Sequence, residues 1–353
     1  MLSVILDTLK LINRTDSSPS PLPQGVPASV RPCRTCAETA VSITHAQEYP
    51  NELVYARNGD SRQLGELLGK GGEGRVYLLG AHSDALVKLY HPNVLNGARS
   101  NATRAKLEAM IANPVMQKTS CFAWPRMLVF SKRGDWIGYA MRRVTGHQLQ
   151  TLCQPLLIGE RLPHWSRAEV ITCALSFVDV IRSAHRQGII LGDINPANFL
   201  IDPHTCQVGA IDCDSYQVRG QDQTFMCPVG IPMLLAPELL ARDYGRTERT
   251  PQQELFSVAI MLFRMFMLGL HPYSRTYGTD PVENLKSGAC ALGIGSGQRL
   301  PAGPWYSIWS HLPGYVKGTF IRAFREGHAS PGERPTLDEW TENLRRYRSD
   351  MGK

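Results

Sequence analysis

The sequence HRQGIILGDINPANFL at residues 185–200 is followed shortly by VGAID at residues 208–212. Short apolar runs alternate in this stretch with Asp193, Asn198 and Asp212, and we expect these side chains to converge at the ends of short strands. Phosphoryl transfer requires such a set, because a carboxylate must orient the attacking hydroxyl and Mg²⁺ prefers oxygen ligands. Core packing or chance would rarely place D-x-x-x-x-N and a later apolar-apolar-Asp run in this order. The stretch therefore predicts a phosphoryl-transfer site.

A glycine-rich stretch, GKGGEGRV at residues 69–76, lies upstream between two strand-like runs. Its Gly69, Gly71, Gly74 and Val76 fit the pattern G-x-G-x-x-G-x-V, and glycines let a backbone approach phosphates closely. A dinucleotide-binding fold would need a helix directly after the glycines, whereas this sequence continues as a strand. By itself, the motif fits a structural turn as well as a phosphate-binding loop.

Lys88 lies in the apolar run LVKL at residues 86–89. A lysine inside an apolar strand is costly unless its ammonium is paired. Glu108, in the helical pattern that follows, is the predicted partner, and the pair would hold Lys88 near the α- and β-phosphates of ATP. The alternative is a lysine at a strand edge and a solvated glutamate on a helix.

The composition is that of a globular protein, with 353 residues, 43% hydrophobic and 20% charged. No stretch reaches the roughly 18 uncharged apolar residues that a membrane span needs. The apolar residues 1–13 are interrupted by Asp7 and Lys10 and do not resemble a signal peptide. We therefore expect a soluble, cytoplasmic protein without a membrane partner. The net charge is +7, but the sequence contains no basic run interleaved with aromatic residues. Nucleic acid is therefore not an expected partner.

Cysteine usage agrees with a reducing compartment. The nine cysteines are an odd number at irregular spacing, which is typical of buried thiols rather than of a disulfide framework. Cys33 and Cys36 form one C-x-x-C pair, which supplies at most half of a zinc site. Coincidence is the favoured interpretation of that pair.

The predicted organisation is a leader followed by two unlike halves. Residues 1–51 form a flexible leader rich in Ser and Pro. Residues 52–145 are predominantly strand-like with one helix at residues 99–112, and residues 146–349 are mainly helical. Two further helices are predicted, Ser166–Gln187 with a capping box to Glu169, and a buried helix at Glu254–Leu268. The predicted fold class is α+β.

Together these motifs resemble the eukaryotic-like (Hanks-type) protein kinases of bacteria, over about residues 63–346. The resemblance implies a bilobal kinase fold, with a β-rich N-lobe containing one αC-type helix and a mainly helical C-lobe. It also implies an ATP-dependent Ser/Thr protein kinase that uses Mg²⁺, with Mn²⁺ as an alternative. The residue roles that it implies are phosphate covering by Gly69, Gly71, Gly74 and Val76, an ion pair between Lys88 and Glu108, a gatekeeper at Met141, adenine contacts at Val144, a catalytic base at Asp193, and metal ligands at Asn198 and Asp212.

Two structural features of the C-lobe follow from the same resemblance. GIPMLLAPE at residues 230–238 corresponds to the end of the activation segment. Its Glu238 is expected to pair with Arg334 as a buried ion pair. Glu254 stands where the family usually has an aspartate that anchors the catalytic loop.

The sequence also departs from the family pattern at the site itself. Leu191 and Gly192 replace the His and Arg before the base, which makes this a non-RD type and predicts no dependence on activation-loop phosphorylation. Asn195 replaces a lysine near the γ-phosphate, and Ile231 replaces a threonine that usually contacts that lysine. Asp214 replaces the glycine of Asp-Phe-Gly. We expect Asp214 to be either a metal ligand or, preferably, a carboxylate bonded to backbone amides.

The motifs GDINPxN, IDCDSYQ and LGLHPY resemble a bacterial subset of these kinases. Members of that subset are encoded with a von Willebrand-domain protein and a metal-dependent phosphatase in tellurite-resistance-like gene groups. The resemblance implies a protein substrate and partners of those two kinds, with the phosphatase opposing the kinase.

Two other functions compete with an active protein kinase. A nucleotide-binding pseudokinase or scaffold is favoured by the missing Arg and Lys, but the retention of Lys88, Asp193, Asn198 and Asp212 argues against it. Loss of one electrostatic group typically lowers a rate by about 10²–10³ rather than abolishing it. A small-molecule kinase of the aminoglycoside or choline type shares the Gly-Asp pair before the loop asparagine. Such enzymes lack the Ala-Pro-Glu segment that occurs here at residues 236–238.

Overall fold

The structure is a computed structural model that describes residues 52–80, 84–275, 280–293 and 299–351. The predicted leader at residues 1–51, and with it Cys33 and Cys36, lies outside the described residues. Within those ranges, the cysteines are free thiols that are buried or half-buried. No helix in the same ranges has both the length and the apolar character needed to cross a membrane.

The first part of the described chain is built on an antiparallel sheet. Its strands are β1 (Leu53–Tyr55), β2 (Ser61–Lys70), β3 (Gly74–Leu79), β4 (Ala85–Tyr90), β5 (Pro125–Phe130) and β6 (Trp136–Arg142). They pair in the order β1-β2-β3-β4-β6-β5. Tyr55 of β1 pairs with Phe130 of β5, which closes the sheet into a small barrel.

The alternation of side chains in β4 explains where Lys88 points. Val87 is fully buried inside the barrel with Val54, Tyr77 and Val129. Because successive side chains on a strand point to opposite faces, Lys88 must point out of the barrel, towards the second part of the chain. The strand thus delivers one lysine to the cleft between the two parts.

Three helices of this first part connect β4 to β5: α1 (Pro92–Leu95), α2 (Ser100–Ile111) and α3 (Pro114–Lys118). The predicted helix at residues 99–112 is confirmed by α2. It ends before Asn113-Pro114, and the Asn113 side chain accepts bonds from the backbone N–H groups of Val115 and Met116, at 3.1 Å each, to begin α3. Trp124 holds the end of α2 in place, since its indole N–H donates to the Met110 carbonyl at 2.8 Å.

The second part is mainly helical. Its helices are α4 (Pro155–Arg161), α5 (Arg167–His185), α6 (Pro251–Phe266), α7 (Pro281–Ser287), α8 (Trp305–Ser310), α9 (Gly314–Phe324), α10 (Glu326–Ala329) and α11 (Leu337–Asp350). Short strands accompany them: β7 (His147–Gln148), β8 (Phe199–Ile201), β9 (Val208–Ala210), β10 (Val218–Arg219) and β11 (Thr224–Phe225). Short 3₁₀ turns occur at Leu149–Cys153, Cys213–Ser215, Pro232–Leu234, Pro237–Leu239 and Pro331–Glu333.

Capping residues determine where the two central helices begin. The predicted capping box of Ser166 and Glu169 is present at the start of α5. Helix α6 begins earlier than predicted, at Pro251, because Thr250 and Gln253 form a second capping box. It ends before Leu268, whose positive φ of 50° is incompatible with a continuing helix. Helix α6 is almost wholly buried, as its sequence indicates.

The polar residues of the site are positioned by a hairpin below the barrel. Strands β7, β8 and β9 form an antiparallel sheet in which Phe199 pairs with Ala210. The same Ala210 forms a parallel bridge to Phe122, which joins this hairpin to the segment leading into β5. Phe122 and Phe199 are both buried, so the hairpin is fixed by apolar packing beneath the cleft.

The predicted pair of Glu238 and Arg334 is confirmed. The Nη1 and Nη2 atoms of Arg334 donate to the two carboxylate oxygens of Glu238 at 2.8 Å each. The Arg334 side chain has no solvent exposure, and it also donates to the carbonyls of Gly327 and Gln252. The pair connects the segment before α6 to the start of α11.

Replacing Glu238 by glutamine is expected to lower the free energy of unfolding by about 3 kcal/mol, because it leaves a buried guanidinium without its counter-charge. Denaturant unfolding followed by circular dichroism measures the change. The matched control is Glu283→Gln, which breaks the exposed pair with Lys286 and should cost much less, because solvent screens an exposed pair. Equal losses in the two variants would contradict the assigned role of the buried pair.

Candidate active site

Lys88 lies in the centre of β4, paired with Val76 of β3 on one side and with Tyr139 of β6 on the other. Only 7% of the residue is exposed. Its ammonium donates to Asp212 Oδ1 at 2.8 Å and to the Asp214 oxygens Oδ1 and Oδ2 at 3.0 and 2.8 Å. A buried ammonium is thus compensated by two carboxylates from the segment after β9.

Asp214 is the more deeply buried of these two carboxylates. It is 8% exposed, and its Oδ2 also accepts a bond of 2.6 Å from the Tyr90 hydroxyl. The preferred prediction for Asp214, bonds to backbone amides, is therefore wrong, because its oxygens accept from two side chains of β4. Burial by itself would raise the pKa of this carboxyl, but the Lys88 charge outweighs burial and lowers it.

The pKa of Lys88 is also set by burial on one side and by neighbouring charges on the other. Burial alone would favour the neutral amine, but the carboxylates of Asp214 and Asp212 outweigh it and raise the pKa above its ordinary value. Lys88 is therefore charged at neutral pH. A permanently charged lysine is the form that attracts phosphate oxygens.

Glu108 is not the partner of Lys88 in this structure. It lies on the exposed side of α2, and its Oε1 accepts from Arg104 at 3.3 Å. The reason is helix geometry: the buried face of α2 carries Lys106, Leu107 and Met110. Residues 107 and 110 share one face at helical spacing, and position 108 falls outside it. The predicted ion pair of Lys88 and Glu108 is corrected accordingly.

Lys106 is the functional candidate that the sequence analysis missed. It is 7% exposed and lies on the wall of a cavity of about 640 Å³ that also borders Glu73 and Asp214. Burial lowers the pKa of its ammonium to about 8, although nearby thiol and carboxyl groups act in the opposite direction. Helical spacing was the available indication, since Lys106 lies one turn before Met110 on the buried face.

The glycine-rich stretch forms the hairpin between β2 and β3, in which Gly69 pairs with Val76. The turn is closed by a bond of 2.9 Å from the Gly71 N–H to the Gly74 carbonyl. A Cβ at Gly74 would lie 2.3 Å from the Leu89 carbonyl oxygen, so this position requires glycine for β3 to approach β4. At the tip of the hairpin, Glu73 Oε2 lies 3.9 Å from Lys88 Nζ. The hairpin therefore lies over the lysine.

Asp193 is held by two amide side chains. The Nδ2 groups of Asn195 and Asn198 both donate to Asp193 Oδ2, at 2.7 and 3.1 Å. Burial raises the pKa of this carboxyl, and the two amide donors partly oppose the increase because they stabilise the charged form. Asn195 thus orients the carboxylate by a neutral hydrogen bond, at the position where the family has a lysine.

Strands β8 and β9 form a hairpin, and Asn198 before β8 and Asp212 after β9 lie at the same end of this strand pair. Asn198 directly precedes β8, and its carbonyl accepts a bond of 2.9 Å from the N–H of Ile211. Asp212 follows with a positive φ of 58°, a strained backbone geometry for a residue other than glycine. Its side chain is 48% exposed. Asn198 and Asp212 are therefore available at one edge of the cleft.

The donor chemistry of this edge fits Mg²⁺. Asp212 offers a half-exposed carboxylate, one oxygen of which is paired with Lys88. The nitrogen of Asn198 is engaged by Asp193, which leaves its amide oxygen to a cation. Among the described residues there is no cluster of three or more His, Cys, Asp or Glu side chains arranged to hold a metal. Mg²⁺ typically takes one or two protein oxygens and completes its shell with phosphate and water.

The remaining predicted nucleotide contacts lie at the connection between the two parts. Met141 is buried near the end of β6, where it pairs with Leu86 and with Pro125. Val144 follows the strand, and a Cβ at Gly209 of β9 would lie 2.4 Å from its Cγ1. The structure thus places Val144 against β9, directly below the barrel.

Glu254 anchors the loop that carries Asp193, at the position where the family resemblance implies an anchoring carboxylate. Its Oε1 accepts from the Gly192 N–H at 2.5 Å, and its Oε2 lies 2.7 Å from His185 Nε2. Both oxygens are thus used by residues that flank the loop, and Glu254 itself is 3% exposed. The first turn of α6 therefore fixes the backbone next to Asp193.

Comparisons with known proteins agree on one family. Residues 62–290 match the family model described as protein kinase domain. Protein kinase YegI of Escherichia coli K12 is 29% identical over 314 residues, which are 86% of this chain and 47% of that protein. YegI of E. coli O157:H7 is 28% identical over 311 residues, 85% of this chain and 47% of that protein. The chain therefore spans about half the length of these curated relatives.

A more distant group of relatives comes from plants. Calcium-dependent protein kinase 24 of Arabidopsis thaliana is 30% identical over 112 residues, which are 31% of this chain and 18% of that protein. The similarity to these proteins is thus local, whereas the similarity to YegI extends over most of the chain.

Replacing Asn195 by alanine is expected to raise the pKa of Asp193 further, because a hydrogen bond that stabilises the carboxylate is lost. The pH at which Asp193 loses its proton should move upward. Carboxyl ¹³C NMR on protein labelled at aspartate measures this titration without any assay of activity. Asn343→Ala, which removes only a bond to Thr319, is the control. An unchanged or lowered Asp193 pKa in the Asn195 variant would contradict the assigned contact.

Proposed function

The chain belongs to the protein kinase family, and on that premise we propose that it transfers the γ-phosphoryl group of ATP to serine or threonine hydroxyls of a protein, with Mg²⁺ as the metal. One observation carries the proposal: Lys88 and Asp212 form an ion pair of 2.8 Å in the cleft, next to the hairpin that holds Asn198. Through Asn198 the hairpin also contacts Asp193. A phosphate-binding cation, metal-binding oxygens and a carboxylate are thus joined in one network.

Asp193 is the proposed base. Both amide donors contact its Oδ2, so Oδ1 is the oxygen that we assign to the substrate hydroxyl. The carboxylate orients that hydroxyl and receives its proton as the phosphoryl group is transferred. Burial raises the pKa of the Asp193 carboxyl, which makes it a better proton acceptor than an ordinary aspartate.

Lys88 and the hairpin of β2 and β3 are the proposed phosphate-binding elements. The ammonium orients the α- and β-phosphates, and the backbone at Gly69, Gly71 and Gly74, with Val76 beside it, covers the nucleotide. Asn198 and Asp212 are the residues that would hold Mg²⁺, which would neutralise charge on the phosphates. When Asp212 serves the metal, Asp214 keeps a counter-charge on Lys88, which is the role that sequence analysis gave to Glu108.

The adenine is proposed to lie at the connection between the two parts, near Met141 and Val144. Met141 is buried beside Leu86, and its side chain limits the space behind the proposed position of the adenine ring. Val144 follows the end of β6, which supports its backbone as the proposed contact for the adenine edge. The proposed kinase is of the non-RD type, because Gly192 precedes Asp193.

A protein substrate is favoured over a small molecule by the end of the activation segment. Glu238 of the Ala-Pro-Glu sequence is paired with Arg334, so this segment is fixed to the helical part. Ile231, in the same segment, is 40% exposed and offers an apolar surface to a bound chain. A nucleotide-binding pseudokinase remains the second candidate, because Gly192 and Asn195 replace two cations of the family pattern.

The biological setting is also a proposal. The resemblance to the tellurite-resistance-like subset supports a cognate phosphatase and a von Willebrand-domain protein as the proposed partners. Cytoplasmic action is a separate proposal, made from the composition of the sequence. Because the chain covers 47% of the YegI sequences, the substrates and partners of the whole proteins are not transferred to it.

Incubation with Mg-ATP and a basic acceptor protein is expected to add phosphate to the acceptor or to the chain itself, measured by intact mass. Asp193→Ala and Asp212→Ala should abolish the gain, because one lacks the base and the other a metal ligand. Thermal shift with Mg-ATP provides the control for binding. Stabilisation without transfer would favour the pseudokinase, and absence of both would contradict a nucleotide-dependent function.

Asp214→Asn is expected to lower kcat/KM by about 10²-fold, because Lys88 loses the counter-charge that positions it for the phosphates. Glu108→Gln should leave kcat/KM unchanged, since the Glu108 carboxylate contacts Arg104 on the surface. Steady-state kinetics with varied ATP measures both variants, and thermal melts confirm that each is folded. The reverse ranking would restore Glu108 as the partner of Lys88.

A further inference from the structure

Arg249 is a buried arginine between the activation segment and α6. It is 3% exposed and directly precedes Thr250, the residue that caps α6. The guanidinium packs on the ring of Tyr244, with 5.1 Å between Cζ and the ring centroid. A buried charge needs partners that compensate its lost hydration, so the groups around it define what it does.

The partners of this guanidinium are backbone carbonyls of two segments, the loop before Asp193 and the activation segment. Nη1 donates to the carbonyl of Gly192, the residue directly before the proposed base. Nη2 donates to the carbonyls of Val229 at 2.6 Å and of Cys227 at 3.3 Å. One side chain therefore joins the catalytic loop to the activation segment.

A second set of bonds connects the same two segments. The Gln217 side chain accepts from the Arg249 N–H at 2.8 Å and donates to the Arg249 carbonyl at 2.9 Å. The backbone of Gln217 in turn exchanges two bonds with Ile190, at 2.8 and 3.1 Å. Both ends of the segment between Gln217 and Val229 are thus tied to the loop that carries Asp193.

The position of Arg249 also explains the glycine before the base. Gly192 has a φ of +76°, which disfavours residues with a side chain. A Cβ there would lie 2.5 Å from Cys227 Sγ and 2.7 Å from Arg249 Nη1. The space in which a side chain of residue 192 would begin is occupied by the Arg249 guanidinium and the Cys227 thiol.

We infer that Arg249 is a positioning residue that holds the activation segment against the catalytic loop, and that it does so without a phosphate on that segment. The inference rests on the proposed phosphoryl transfer. The acceptors of the Arg249 guanidinium are carbonyl oxygens of the chain itself, which are present in every molecule. A phosphate, by contrast, is present only after modification. The loop backbone next to Asp193 is thereby fixed by a contact that needs no activation step.

Arg249→Ala is expected to lower kcat by about 10²-fold, because small displacements of a catalytic group have effects of that size. The KM for ATP should be unchanged, since Lys88 and the hairpin of β2 and β3 are not contacted by Arg249. Amide hydrogen exchange of residues 227–231 should become faster. Arg249→Lys should recover only part of kcat, because an ammonium cannot reproduce the planar fork that reaches both segments.

Two further variants separate positioning from folding. Gly192→Ala should reproduce the kcat loss and the faster exchange, because the new Cβ displaces the guanidinium. Arg167→Ala removes another buried arginine, which donates to the Phe266 carbonyl and lies over the Phe266 ring. It should lower stability while leaving kcat and the exchange of residues 227–231 unchanged.

Treatment of the wild-type chain with a protein phosphatase, followed by intact mass and kinetics, tests independence from phosphorylation. Unchanged kcat in the unmodified chain supports the inference, and a large loss overturns it. Wild-type kcat in a folded Arg249→Ala variant, or equal kcat losses in Arg249→Ala and Arg167→Ala, also overturns it. Hydrogen exchange of the unliganded protein detects the contact even where no phosphoryl transfer is observed, so failure of the proposed function is distinguished from failure of this inference.

Discussion

Burial of one ammonium group is the constraint on which the site depends. Lys88 is carried on a strand whose other face fills the barrel, so its charge must enter the cleft and must be compensated there. The compensating carboxylates, Asp212 and Asp214, belong to the segment after β9 and not to α2. The ion pairs therefore hold the barrel to the helical part across the cleft. Removal of either carboxylate changes both the charge around Lys88 and the ion pairs that connect the two parts.

The backbone before Asp193 is fixed by a second polar network, in the helical part. Glu254 accepts from the N–H of Gly192, and Arg249 donates to the carbonyl of the same residue. The N–H and the carbonyl of Gly192 are thus both bound by side chains at or next to the start of α6. Both of these side chains are buried. Because α6 is enclosed by apolar packing, it serves as the rigid support for the loop. The position of the proposed base follows from the core rather than from the exposed surface.

Sequence alone predicts those features that depend on local spacing. The capping box of Ser166, the end of α2 before Asn113, and the pair of Glu238 with Arg334 follow from short motifs or from the family resemblance, and the structure contains all of them. The partner of Lys88 could not be predicted in this way, because Asp214 is distant in sequence and its preference for Lys88 over backbone amides depends on burial. Helical spacing around Met110 would have placed Lys106 inside and Glu108 outside.

The departures from the family pattern make physical sense as a set. Gly192 leaves out a side chain where the Arg249 guanidinium needs room, so the lost charge before the proposed base is replaced by one from another segment. Asn195 removes a cation but supplies a hydrogen bond that keeps Asp193 oriented. Asp214 adds a carboxylate where Lys88 needs a partner. A decaying site would lose groups without such replacements and would leave buried charges unpaired, at a cost of several kcal/mol each. The pattern therefore favours a site that has been rebuilt around different contacts over one that has lost its chemistry.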